Sequence, residues 1–245
     1  MASRGAALVT GGARRIGRAL VTAAAEAGYD VAIHVRQVDD EAEAAAGDVR
    51  ARGRKAAIFA CDLRKEAATV PLIGEAEGEL GPVTLLVNSA SAFEEDAFET
   101  FNRASWDLHL ETNLRSPLIL SQVFARRLPA DREGLIVNIL DQRVLRPGPD
   151  FFSYSLSKAA LWEATKMMAQ ALAPRVRVNG IGPGPTLPSV HQDRADFDAE
   201  VASTLMGRPV TPSEIGAALR YLIDAPSVTG QMIAVDAGQH LAWLS

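Results

Sequence analysis

Short apolar runs alternate along the whole chain with longer segments whose apolar residues recur every three or four positions. The runs ALVTGG, DVAIHV, KAAIFACD, VTLLVNSA, GLIVNIL, RVRVNGIG and MIAVDAG are apolar at most positions and bounded by Gly, Asp or Asn. Strands of this kind belong in a sheet covered on both faces. Between them, RRIGRALVTAAAEAGY and FSYSLSKAALWEATKMMAQALA carry the helical period. Strict strand–helix alternation predicts right-handed crossovers and a parallel sheet. The fold class is therefore α/β: one doubly wound domain over 1–245, with no linker, repeat or low-complexity tract.

Composition narrows the partners. At 245 residues the chain suits one α/β domain, and its 48% hydrophobic content can fill a sizeable core. A net charge of −5 argues against nucleic acid and against an anionic membrane as partners. The single cysteine, Cys61, excludes an intrachain disulfide and suits a reducing compartment. No run approaches the roughly 18 apolar residues of a membrane span. The first residues, MASRGAALVTGG, lack the long apolar stretch of a secretory signal. A soluble, cytoplasmic protein is expected, and no metal site is read.

The first strand runs into Thr10-Gly11-Gly12-Ala13-Arg14-Arg15-Ile16-Gly17, which then opens a helix. That is the setting of a dinucleotide-binding turn of the Rossmann type. Glycine lets the backbone approach a pyrophosphate, and the helix start offers free N–H groups and a positive dipole end. The second strand ends Ile33-His34-Val35-Arg36-Gln37, without the acid that would hold the ribose hydroxyls of NAD. Arg15 and Arg36, helped by His34, can converge instead on a 2′-phosphate. The cofactor expected is NADPH. Asp62, with Leu63 after it, closes the third strand and either meets an adenine edge or caps the next helix. Asn88-Ser89-Ala90-Ser91 closes the fourth strand at the carboxyl edge, where ligands bind.

The stretch DQRVLRPGPDFFSYSLSK, from Asp141 to Lys158, carries the chemistry. Tyr154 and Lys158 are four positions apart and share a helix face. A lysine cation beside a phenol lowers its pKa, so Tyr154 becomes a proton donor or acceptor near neutrality. Asp141, thirteen positions earlier, closes the fifth strand and faces the same crevice. Asn113 enters a strongly apolar helix, either as an exposed turn or as the holder of a water or backbone carbonyl near Lys158. After the sixth strand, Pro183-Gly184 turns tightly, and the polar, helix-like stretch at about 186–210 is expected to be a mobile substrate lid.

In their order, the glycine turn, Asn88, Asn113, Tyr154 with Lys158, Pro183-Gly184 and GQMIAVDAG resemble the short-chain dehydrogenase/reductase family over essentially the whole chain. The resemblance implies a seven-stranded sheet, a nicotinamide cofactor and a homo-oligomer, usually a tetramer or dimer. Three departures refine it. Arg15 replaces the middle glycine of the family's turn, Ser91 ends a motif usually NNAG, and Asp141 stands where a carbonyl-polarising Ser is usual. A carboxylate cannot donate a hydrogen bond unless protonated, so Asp141 suits an amine N–H or a proton relay better than a ketone. These departures resemble the pteridine reductase branch, as does Phe93, placed where that branch stacks an aromatic ring on the pterin. The resemblance then implies a pterin between Phe93 and the nicotinamide, with Arg15 and Ser91 at its edge. Tyr154 would be the proton donor, Asp141 its relay, Lys158 the ligand of the nicotinamide ribose, and Asn113 the holder of a water. A ketone or 3-oxoacyl reductase, or a protein that senses NADPH without turnover, is the alternative.

Overall fold

All seven apolar runs form strands of one parallel sheet in the computed structural model, which describes residues 4–189 and 191–242. They are β1 (Ala6–Thr10), β2 (Asp30–Val35), β3 (Ala56–Ala60), β4 (Val83–Asn88), β5 (Gly134–Ile139), β6 (Val176–Pro183) and β7 (Met232–Val235). The sheet order is β3-β2-β1-β4-β5-β6-β7, so the winding reverses between β1 and β4. A crevice opens at that switch point, beyond the carboxyl ends of the strands.

Nine α-helices cover the sheet among the described residues: α1 (Arg15–Glu26), α2 (Asp40–Arg50), α3 (Glu66–Thr69), α4 (Leu72–Leu80), α5 (Arg103–Leu110), α6 (Ser116–Arg127), α7 (Phe152–Leu172), α8 (Arg194–Ala202) and α9 (Pro212–Asp224). Side chains alternate along a strand, so β1 feeds both layers. Ala7 and Val9 join Leu20 of α1, Ala46 of α2 and Leu219 of α9. Ala6 and Leu8 join Ile73 of α4 with Leu120 and Phe124 of α6. The apolar α6 segment suits either a partner subunit or the core from sequence; Leu120 and Phe124 are buried against the sheet.

Candidate active site

The glycine turn is shaped by crowding. A Cβ on Gly17 would run into Gly11 O, and one on Gly11, whose φ is +65°, would meet Ala90 Cα at 2.9 Å. Thr10 Oγ1 accepts from Ser89 N at 2.9 Å and Ala90 N at 3.0 Å, tying this turn to the end of β4. At the start of α1, Arg14 supplies no side-chain cap and the first turn holds no acid. Its first N–H groups are thus left for an anion. Arg15 stands where the family's pattern has glycine, and its φ of 51° is the left-handed conformation that glycine takes without cost. Its guanidinium reaches over the crevice to Leu187 O at 3.0 Å and Pro188 O at 2.9 Å. Ile16 lines the cavity beside it.

Two of the residues expected beside the cofactor, His34 and Arg14, are otherwise occupied. His34 is buried, with Nδ1 accepting from Gly11 N at 3.4 Å and Nε2 against Cys61 O at 3.2 Å. Burial lowers its pKa to about 4, so the ring is neutral and braces the turn from below; this corrects its expected place on a 2′-phosphate. Arg14 pairs with Asp39 and Glu41, while Asp39 caps α2 through Ala42 N. Arg36 stands exposed at the end of β2, close enough to Asp62 to help hold that carboxyl down. Asp62 itself is clamped by Arg64 at 2.6 Å, and the bonds from Arg64 bring its pKa to about 2. Its Oδ1 also accepts from Arg64 N, in the manner of a turn cap, and Leu63 is buried behind it.

Deeper in the crevice, Tyr154 donates to Asp141 Oδ2 at 2.8 Å, and Asp141 Oδ1 accepts from Arg143 N at 2.8 Å. The acid both caps the turn after β5 and orients the phenol. Lys158, buried on the same face of α7, donates from Nζ to Ile139 O at 2.8 Å and lies 5.7 Å from the Tyr154 ring centre. Burial pushes the Tyr154 pKa well above 10, and the charge and hydrogen bond of Asp141 push it further. The expectation that Lys158 brings the phenol toward neutrality is corrected: Tyr154 keeps its proton. Burial also raises Asp141 above the usual carboxylate range and lowers Lys158 to about 8, against the pull of Asp141.

Asn113 is 1% exposed, which removes the reading of an exposed turn. It sits in a π-helical turn, Glu111–Arg115, between α5 and α6. Such turns put an extra residue into a helix and recur at functional sites. Its Nδ2 donates to Ala92 O at 2.9 Å and Ser157 Oγ at 3.1 Å, and its Oδ1 accepts from Ala92 N at 2.8 Å and Ser91 Oγ at 3.3 Å. The carbonyl it holds belongs to the loop that carries Ser91 and Phe93, beside the helix of Lys158. Phe93 stacks face to face on Phe151, centroids 4.2 Å apart at 12°, and meets Tyr154 edge-on at 4.7 Å. One face of Phe93 is therefore covered by Phe151, a neighbour that the sequence reading did not include.

Phe93, Phe151, Asp141, Tyr154 and Lys158 line a cavity of about 710 Å³ together with His191, Gln192 and Glu200 of the 186–210 segment. Pro183 and Gly184 also line it, and a Cβ on Gly184 would meet Asp236 Cα at 2.6 Å. Three contributors were not among the residues read from the sequence. Asn138, a polar residue inside the apolar run of β5, links Asn88 to Thr165 and was detectable on that ground. Phe151 and His191 had no such signal, because only chain folding brings them to Phe93.

A doubly wound sheet with a glycine turn at its switch point and a Tyr–Lys pair above it defines a dinucleotide-dependent oxidoreductase scaffold. The family described as short chain dehydrogenase matches residues 5–198, and the chain belongs to it. An uncharacterized oxidoreductase of Mycobacterium tuberculosis is 32% identical, the match covering 95% of this chain and 90% of that one. The 3-oxoacyl-[acyl-carrier-protein] reductase FabG of Aggregatibacter actinomycetemcomitans is also 32% identical, over 94% and 97%. Among solved structures, FolM alternative dihydrofolate reductase 1 of Brucella suis, in complex with NADP, is 47% identical, with a TM-score of 0.95 over 100% of this chain and 98% of that one.

Proposed function

We propose that this protein is an NADPH-dependent reductase of a dihydropterin-type substrate, acting on a C=N bond. The observation that carries this reading is the Tyr154–Asp141 hydrogen bond of 2.8 Å. A carboxylate accepts, and so suits a substrate rich in N–H donors, whereas a ketone needs a second donor on its oxygen. The stacked Phe93 and the neighbouring Phe151 suit a flat heterocycle. The likeness to the Brucella FolM protein supports the same branch.

The residues present fit the cofactor. The open start of α1, the crowded Gly11 and Gly17, exposed Arg36 and buried Lys158 together suit a dinucleotide phosphate. Asn88 Oδ1 is a buried acceptor with no partner among the described residues, at the carboxyl edge of β4. When bound, NADPH supplies the hydride. Tyr154 holds the proton that the reduced nitrogen takes up. Asp141 keeps the phenol aimed into the cavity, and its raised pKa lets it carry a proton in turn. Lys158 and Asn113 fix the helix and loop on either side, and the 186–210 segment excludes water as a lid.

Turnover followed by loss of reduced-nicotinamide absorbance tests the reading, with dihydrobiopterin, dihydromonapterin, dihydrofolate, simple ketones and a 3-oxoacyl thioester in parallel. Turnover of pterins is expected. Activity on the ketones or thioester alone would replace the reading with the FabG-like one that the curated relatives favour. Tyr154→Phe should lower kcat by at least about 100-fold while NADPH binding persists.

A further inference from the structure

Beside Phe93 and Tyr154 lies a buried polar cluster whose imidazole, His109, stands edge-on to the Tyr154 ring with centroids 6.0 Å apart. Asp96 is 6% exposed, and His109 and Ser153 are fully buried. Every hydrogen in it is assigned by its partners. Glu94 N donates to His109 Nε2 at 3.0 Å, so that nitrogen is an acceptor and Nδ1 carries the ring proton. Nδ1 lies 2.7 Å from Ser153 Oγ, to which it donates. The Ser153 hydroxyl hydrogen then goes to Asp96 Oδ2. Asp96 Oδ1 takes Ser153 N at 3.0 Å, and Asp96 O takes Phe152 N at 3.1 Å.

The start of α7 explains the need for Asp96. Its N-cap, Phe151, is left-handed at φ 53°, has no capping side chain, and is followed by a first turn without an acid. Asp96, fifty-seven positions before Ser153, caps the helix from another loop. Phe93 is thus held on both sides, at Ala92 by Asn113 and at Glu94 by His109, while Tyr154 directly follows Ser153.

We propose that Asp96, Ser153 and His109 form a positioning relay that locks Phe93 to Tyr154 and sets the width of the aromatic slot. The proposal rests on the reading of Phe93 and Tyr154 given above. The chain works in one protonation state. Protonating Nε2 would point it at the Glu94 N–H, donor against donor, and release the loop. The charged groups facing the ring are Asp96 and Glu94 from the loop and Lys158 from α7. Burial lowers the His109 pKa and keeps the ring neutral. Burial pushes Asp96 up, but the bonds from Ser153 win and leave it below the usual carboxylate range.

Ser153→Ala and His109→Gln, made in the full chain, test this. The glutamine keeps a neutral acceptor but cannot titrate. With a dihydropterin, KM should rise about tenfold in Ser153→Ala while the NADPH dissociation constant stays within about twofold. The acid limb of kcat/KM in the parent protein should vanish in His109→Gln. An unchanged KM together with a retained acid limb would overturn the relay. Should the parent turn over no pterin, the substrate reading fails and the relay is read without substrate by NMR titration. The Glu94 amide signal should then move with His109 protonation, and Asp96→Asn should lower the ring's pKa. No movement in either would overturn the relay independently.

Discussion

Both ring nitrogens of His34 face groups inside the protein, so its charge state belongs to stability rather than to ligand binding. Its folded pKa of about 4 lies below the ordinary 6.5. A depressed pKa means stability fully present above pH 6.5 and lost as pH falls through 4, a loss of about 3 kcal/mol. Urea unfolding at pH 7 and pH 4.5 should show part of that drop, and His34→Asn, which cannot titrate, should flatten it. Asp141 carries the opposite sign. Its raised pKa means stability that is fully present below the ordinary carboxylate pKa and is lost as pH rises through the folded value. Asp141→Asn should therefore raise Tm at neutral pH while lowering kcat, the trade expected of a strained active-site charge. The same variant should move the alkaline limb of kcat/KM, set by Lys158 at about 8, to lower pH, because Asp141 is what holds the ammonium up. A limb that stays in place would detach Lys158 from the profile.

The turn between β1 and α1 works by close approach, and the same substitution has opposite outcomes in two elements. Gly17→Ala would push a methyl into Gly11 O, a backbone atom that cannot swing aside. Overpacking of this kind costs about 1–3 kcal/mol. Nucleotide affinity should fall as well, because the turn must shift. Gly47→Ala, on the exposed side of α2 with nothing within 4 Å, should instead add about 0.5–1 kcal/mol by restoring helix propensity. Urea midpoints of the two variants, with a fluorescence titration of NADPH, check both signs.

Across the whole molecule, two apolar layers cover the sheet, and Asp141, Tyr154 and Lys158, the groups proposed above to act, sit at its carboxyl edge or on α7. The 186–210 segment is attached differently. Arg15 holds Leu187 O and Pro188 O, and His191 Nε2 lies 3.0 Å from Phe93 O, so one end is tied to the glycine turn and the Phe93 loop, while Met206 N on Ala237 O at 3.1 Å and Gln239 Nε2 on Glu200 Oε1 at 2.9 Å tie the rest to the segment after β7. Among the described residues no helix is long and apolar enough to cross a membrane. If the segment is the lid proposed above, amide exchange over 187–206 should slow when NADPH and a pterin bind together, with α9 unchanged. Equal protection of both would make it ordinary surface.

Strand and helix order, the glycine turn and the Tyr154–Lys158 pair were legible in the chain itself, because each depends on local period or on spacing along one element, and Asp141 was legible from its place thirteen positions before Tyr154 in the family's pattern. Asn113 was visible as a polar residue in an apolar helix and by its place in the family's motif order, but its π-turn and its hold on Ala92 need the loop beside it. The charge states were not legible. Spacing says that Lys158 is near Tyr154, but burial and Asp141 decide that the phenol keeps its proton. His34 likewise looked like a phosphate ligand until the sheet placed it under Gly11. The amino-acid order determined which groups stand at the crevice, through hydrophobic period and motif spacing. Only the tertiary structure decided their protonation, their partners and the Phe151 ring over Phe93, because solvent exclusion and contacts between distant segments exist only once the layers close.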